Sequence, residues 1–103
     1  LNVTNMMWMF RDCNSLVKLN LNSFNTSNVE DISTMFWGCS KIQTQINIMN
    51  TGTTSYSDMF TNALTDPDAY VILGYTTDTQ SIAEAMKATA SSTYQSKITL
   101  KQI

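Results

Sequence analysis

The sequence predicts an α/β fold, a solenoid of about four stacked helix–strand coils with a parallel sheet on its concave face. Three observations carry that expectation. A residue pattern recurs every 24 to 26 positions, the first half of each unit has apolar residues at helical spacing, and the second half alternates apolar with polar residues.

The repeat is visible in single residues. Asn2-Val3 returns as Asn28-Val29, Met9-Phe10 as Met35-Phe36 and Cys13 as Cys39, each 26 positions on, and Leu16 and Ile42 keep the same offset. Met59-Phe60 follows Met35-Phe36 by 24 residues, with Ala63 in the place of the cysteine. Beyond it only Ile82, Met86 and Ala90 can be aligned to the pattern. One domain, 1–103, is therefore divided into coil 1 (2–27), coil 2 (28–53), a degenerate coil 3 (54–75) and a C-terminal cap coil (76–103).

Each coil opens on a predicted helix. At about 100° per residue, Val3, Met6, Met9, Phe10 and Cys13 share a face, as do Val29, Ile32, Met35, Phe36 and Cys39, and then Tyr56, Met59, Phe60 and Ala63. Ser27 with Glu30 reads as a capping box for the second helix. A last helix is expected from Ser81 to Ala88, capped by Asp78 or Ser81. Strands are expected at Leu19 and Leu21, at Ile46 and Ile48, at Tyr70 to Leu73, and at Ile98 and Leu100.

One such unit cannot bury its apolar stripe alone, whereas stacked units cover one another. Strands stack at about 4.8 Å and helices at about 8–10 Å. The mismatch bends the stack and puts the sheet on the inside, a leucine-rich-repeat-type geometry.

The units Asn2-Val3…Met9-Phe10…Cys13…Leu16 and Asn28-Val29…Met35-Phe36…Cys39 resemble the BspA-like leucine-rich repeats, the 26-residue repeats of bacterial surface proteins and of mycoplasma-type surface lipoproteins. The resemblance covers residues 2 to about 64. From 65 to 103 the Met-Phe-Cys signature is gone, and Asp66-Pro67-Asp68 lengthens a loop. The resemblance implies display at the cell surface or export, with adhesion or host contact, and it offers no catalytic residues.

Composition narrows the function. Charged residues make up 14% of the 103, the net charge is −2, and Ser, Thr and Asn together fill 36 positions. A surface of hydroxyls and amides leans toward an extracellular or cell-surface location. Six Lys and Arg, spread without a cluster, cannot neutralise a phosphate backbone, so nucleic acid is excluded as a partner. No apolar run is long enough to insert into a membrane. With no His, every His-dependent catalytic arrangement is absent, and the eight acidic residues sit at turns and helix edges. No enzymatic activity, cofactor or metal is expected. Asp66-Pro67-Asp68 is turn chemistry rather than a calcium site, and Cys13 and Cys39 read as buried free thiols on helices too far apart for a disulfide.

Period-two alternation turns Lys18, Asn20 and Asn22, Gln45 and Asn47, and Thr99 and Lys101 outward onto the sheet face, the candidate ligand site for a surface protein or glycan. Trp8 lies about 140° from the apolar stripe. It either meets a partner on the helix side or packs on the helix flank, and both readings stand. The expected function is a non-enzymatic bacterial surface module for adhesion or protein and glycan binding. The alternative is a structural spacer and terminal cap of a longer array. Because Leu1 enters within the pattern, the chain reads as a fragment whose first coil frays or self-associates.

Overall fold

A computed structural model describes residues 4–21 and 26–103 of the chain. Its regular elements are strand β1 (Gln43–Ile48), strand β2 (Tyr70–Tyr75), helix α1 (Gln80–Lys87), a 3₁₀ turn (Gln95–Lys97) and strand β3 (Ile98–Gln102). The strands form one parallel sheet in the order β1-β2-β3, with Gln43 opposite Tyr70 and Val71 opposite Ile98. Alternation decides the faces. Thr44, Ile46 and Ile48, then Val71 and Leu73, then Ile98 turn into the core, and their neighbours turn out. The expected first strand at Leu19 and Leu21 is reduced to a single parallel bridge between Lys18 and Gln43.

The expected solenoid of four helix–strand coils is not what the chain forms. Among the described residues there is one α-helix, α1, in place of four. The stretches read as the first three helices are runs of turns at 7–12, 33–38 and 57–62. The backbone hydrogen bonds give the reason. In a helix every N–H turns back to its own chain four residues earlier. Here alternate N–H groups leave the segment. Met6, Trp8, Phe10 and Asp12 donate to the carbonyls of Asp31, Ser33, Met35 and Trp37, at 2.8, 3.2, 3.0 and 2.7 Å. Ile32, Thr34, Phe36 and Gly38 donate in turn to Ser55, Ser57, Met59 and Thr61, at 2.8 to 3.0 Å. The residues between them close four-residue turns, as in Met9 to Met6 and Met35 to Ile32. Three tiers, residues 5–13, 31–39 and 55–63, are thus laced together by main chain.

Left-handed backbone punctuates each tier every four residues, at Trp8 and Asp12, at Thr34 and Gly38, and at Asp58 and Asn62. A single residue with positive φ ends any helical run. Ser27 and Glu30 therefore cap no helix, and the Glu30 N–H donates to the Thr4 carbonyl of the tier above. Each of the first two tiers opens instead on an Asx turn. The Asn5 side chain accepts the Met7 N–H at 2.8 Å, and the Asp31 side chain accepts the Ser33 N–H at 3.0 Å. With one helix among the described residues, nothing holds an outer layer at helical spacing, and the expected concave bend loses its cause.

The tiers and the sheet enclose one core. Phe10, Phe36 and Phe60 stack through all three tiers, with centroids 5.8 and 5.5 Å apart. Met35, Met59, Ile32, Ile42 and Leu64 are fully buried around them. Helix α1 lies where a helix from Ser81 to Ala88 is expected and buries Ala83 and Met86. Buried threonines fasten neighbouring layers. The hydroxyl of Thr44 donates to the Leu19 carbonyl (2.7 Å), Thr53 to Val29 (2.5 Å), Thr79 to Ile48 (2.7 Å), and Thr26 to Asn47. These four threonine hydroxyls are thus structural. Val3 of the first apolar stripe lies outside the described residues.

Candidate functional site

Parallel register sets the outward side chains of the sheet in rows. Lys18, Gln43 and Tyr70 form one, Gln45, Ile72 and Thr99 the next, and Asn47, Gly74 and Lys101 the third. Of the residues predicted for this face, Lys18, Gln45, Asn47, Thr99 and Lys101 are brought onto it. Asn20 borders it, and Asn22 lies outside the described residues. Lys18, Asn20, Gln43, Gln45, Tyr70 and Ile72 line an open depression of about 460 Å³.

The chemistry of this face is mixed. The Gln45 amide nitrogen donates to the Asn47 side-chain oxygen at 3.0 Å, a bond that does not use the Gln45 amide oxygen or the Asn47 amide nitrogen. Gly74 makes that arrangement possible, because a Cβ there would strike the Asn47 side chain and come within 3.0 Å of Ile103. Tyr70 is 45% exposed and supplies an aromatic face beside the amides, while Lys18 and Lys101 add positive charge at opposite edges.

Gln43, Tyr70 and Ile72 are absent from the sequence-derived site. Tyr70 begins the unbroken run Tyr70-Val71-Ile72-Leu73, where period two is invisible because both faces carry apolar residues. The usable signal was the 27-residue offset from Gln43 to Tyr70 and from Val71 to Ile98, which carries the alternation of β1 and β3 into β2.

Trp8 does not join this face. It stands 48% exposed on the first tier, where the Arg11 guanidinium lies 4.2 Å from its ring centre and 4.7 Å from that of Trp37. The cation bridges the two indoles from successive tiers, an attraction worth about 0.5–1 kcal/mol at an exposed site. The Trp8 contact is therefore packing in part, with an open indole face besides.

Cys13 is half-buried, Cys39 is fully buried, and both are free thiols. They occupy equivalent places in tiers joined by hydrogen bonds, so the helix spacing expected to separate them does not apply. Burial pushes the Cys39 thiol up to about 11, and its Sγ donates to the Phe10 carbonyl at 2.8 Å. A protonated, enclosed thiol is a poor nucleophile. Among the described residues, no group of three or more His, Cys, Asp or Glu could hold a metal ion, and no helix is long and apolar enough to cross a membrane.

No curated protein and no solved structure matches the chain. A family model does, over residues 1–70, the span that holds the three tiers and the first strand. The chain belongs to the family described as Mycoplasma protein of unknown function, DUF285.

Proposed function

We propose that the chain is a non-enzymatic binding module of the cell surface whose sheet face receives a protein or glycan partner. The observation that carries this reading is the set of outward rows, in which the Gln43 and Gln45 amides and the exposed Tyr70 ring line one open depression, with Asn47 farther along the same strand. Amides hydrogen-bond hydroxyls and peptide groups with equal ease, and an aromatic ring stacks on the apolar face of a sugar or on a side chain. A rigid strand backbone fixes these groups in advance, which lowers the ordering cost of binding. Surface placement is supported by the abundance of Ser, Thr and Asn, and by the resemblance of the Asn-Val, Met-Phe and Cys signature to repeats of bacterial surface proteins.

The test is a glycan and surface-protein array probed with the wild-type chain and with the variant Asn20→Ala, Gln45→Ala, Asn47→Ala. A partner captured by the wild type and lost in the variant, whose circular dichroism is unchanged, supports the reading. Equal capture by both proteins, with loss on Trp8→Ala, would move the site to the tiers. Capture of nothing by the wild type would favour a spacer role.

A further inference from the structure

Cys13 and Cys39 meet at one oxygen. The Phe10 carbonyl accepts the Cys13 N–H at 3.2 Å and the Cys39 thiol at 2.8 Å. The Cys39 sulfur is also close enough to the Cys13 N–H and thiol for both to bear on its ionisation. The register around them agrees. Asn5 bridges Asp31, and the Phe10 ring stacks on that of Phe36 with centroids 5.8 Å apart. Both pairs are 26 positions apart, and Cys13 and Cys39 keep that offset. Main-chain-bonded segments run about 4.8 Å apart, inside the range of about 4.4–6.8 Å that a disulfide requires between Cα atoms.

No other thiol of the chain competes for either sulfur, because these are its two cysteines and Ala63 stands at their position in the third tier. Their surroundings differ. Cys39 is fully buried and Cys13 half-buried, so a small reagent meets Cys13 first, with Cys39 enclosed beside it.

We propose that Cys13 and Cys39 are a dithiol that a low-molecular-weight disulfide oxidises by exchange, joining the first and second tiers covalently. Cys13 gives its proton to solvent, and its sulfur attacks one sulfur of the reagent. The S–S bond of the reagent breaks, and the other half leaves as a thiolate that takes up a proton. Cys39 then gives up its proton, attacks the Cys13 sulfur of the mixed disulfide and expels the second half. The two protein thiols lose two electrons and two protons, and the reagent gains both and departs as two thiols. The hydrogen bond from Cys39 to Phe10 is exchanged for the covalent tie, while the Cys13 N–H keeps that carbonyl.

The test incubates the folded protein with oxidised glutathione, blocks the remaining thiols and reads the intact mass. The expected product is a monomer lighter by two hydrogen atoms. Tryptic cleavage after Arg11, Lys18 and Lys41 puts the cysteines in separate peptides, 12–18 and 19–41, which the new bond is expected to hold together. Because the fold aligns the sulfurs, the internal disulfide is expected to be favoured over the mixed one at least about tenfold more in the folded protein than in urea. In Cys39→Ser the reaction is expected to stop with glutathione on Cys13. Four results would overturn the proposal. These are glutathione on Cys13 as the end product of the wild type, disulfide-linked dimers, the same preference folded as in urea, or no reaction of the folded protein while the unfolded chain is oxidised.

Discussion

Phe36 lies face to face with Phe60, centroids 5.5 Å apart and ring planes within 5°. Rings so nearly parallel follow from main-chain bonds that fix both residues in the same turn conformation, Phe36 donating to Met59 at 3.0 Å. Phe36 is fully buried between two rings, whereas Phe10 is covered on one side. Phe36→Ala is expected to lower the unfolding free energy by about 3–5 kcal/mol, and Phe10→Ala by less. Urea denaturation followed by circular dichroism reads both, and equal losses would show that the stack is not ordered as described.

The threonine ties give a second outcome. Thr53 is buried, and its hydroxyl shares the Val29 carbonyl with the Asn50 side-chain amide, at 2.5 and 3.0 Å. Thr53→Val keeps the shape and removes the donor, with an expected loss of about 1 kcal/mol. Exposed Thr54 next to it carries no such tie, and Thr54→Val is expected to stay within about 0.5 kcal/mol of wild type. Thermal unfolding of the two variants side by side makes the comparison.

Backbone handedness is tested at Gly38. Its φ is +78°, and a Cβ there would lie 2.7 Å from the Asp12 carboxylate oxygen and 3.4 Å from the Asp12 Cα. Gly38→Ala therefore meets both left-handed strain and a steric contact, with an expected loss of about 1–2 kcal/mol or more. Adding Asp12→Gly removes the obstructing carboxylate and is expected to restore part of the loss in a double-mutant cycle. Additive losses would place the damage elsewhere.

The spacing of the tiers was legible in the sequence, and so were their inward residues, among them Met35, Phe36, Cys39, Met59 and Phe60. Their conformation was not, because apolar residues at i, i+3 and i+4 suit a helix and a run of four-residue turns alike. What separates the two is backbone handedness. Asp12, Gly38 and Asn62 fall at one repeat position, and all three are residue types that tolerate positive φ, which was the available signal. Thr34 and Trp8 gave none, being held left-handed by the ladder against their own preference. On the sheet face, the alternation in β1 and β3 exposed Gln45, Asn47, Thr99 and Lys101, while the apolar run of β2 hid Tyr70 and Ile72 between them.

The buried thiol makes stability depend on pH at the alkaline end. Cys39 ionises near 11 in the folded protein against 9.0 when unperturbed, chiefly because burial penalises the thiolate. The folded state thus holds a proton that the unfolded state releases between pH 9 and 11. Stability is expected to be intact below pH 9 and to fall as pH rises through that window, by on the order of 2 kcal/mol. Cys39→Ala is expected to flatten that part of the profile. Denaturant midpoints at a series of pH values check it, and an unchanged slope in the variant would show that other groups carry the fall.

Main-chain bonds join the tiers instead of closing helices. Through-hydrogen-bond scalar couplings in the ¹⁵N,¹³C-labelled protein detect each donor with its acceptor. The predicted result is a coupling from the Phe36 amide to the Met59 carbonyl and from the Phe10 amide to the Met35 carbonyl, with Thr34 and Gly38 at positive φ. A coupling from the Phe36 amide to the Ile32 carbonyl, with helical carbon shifts from Ile32 to Gly38, would contradict it.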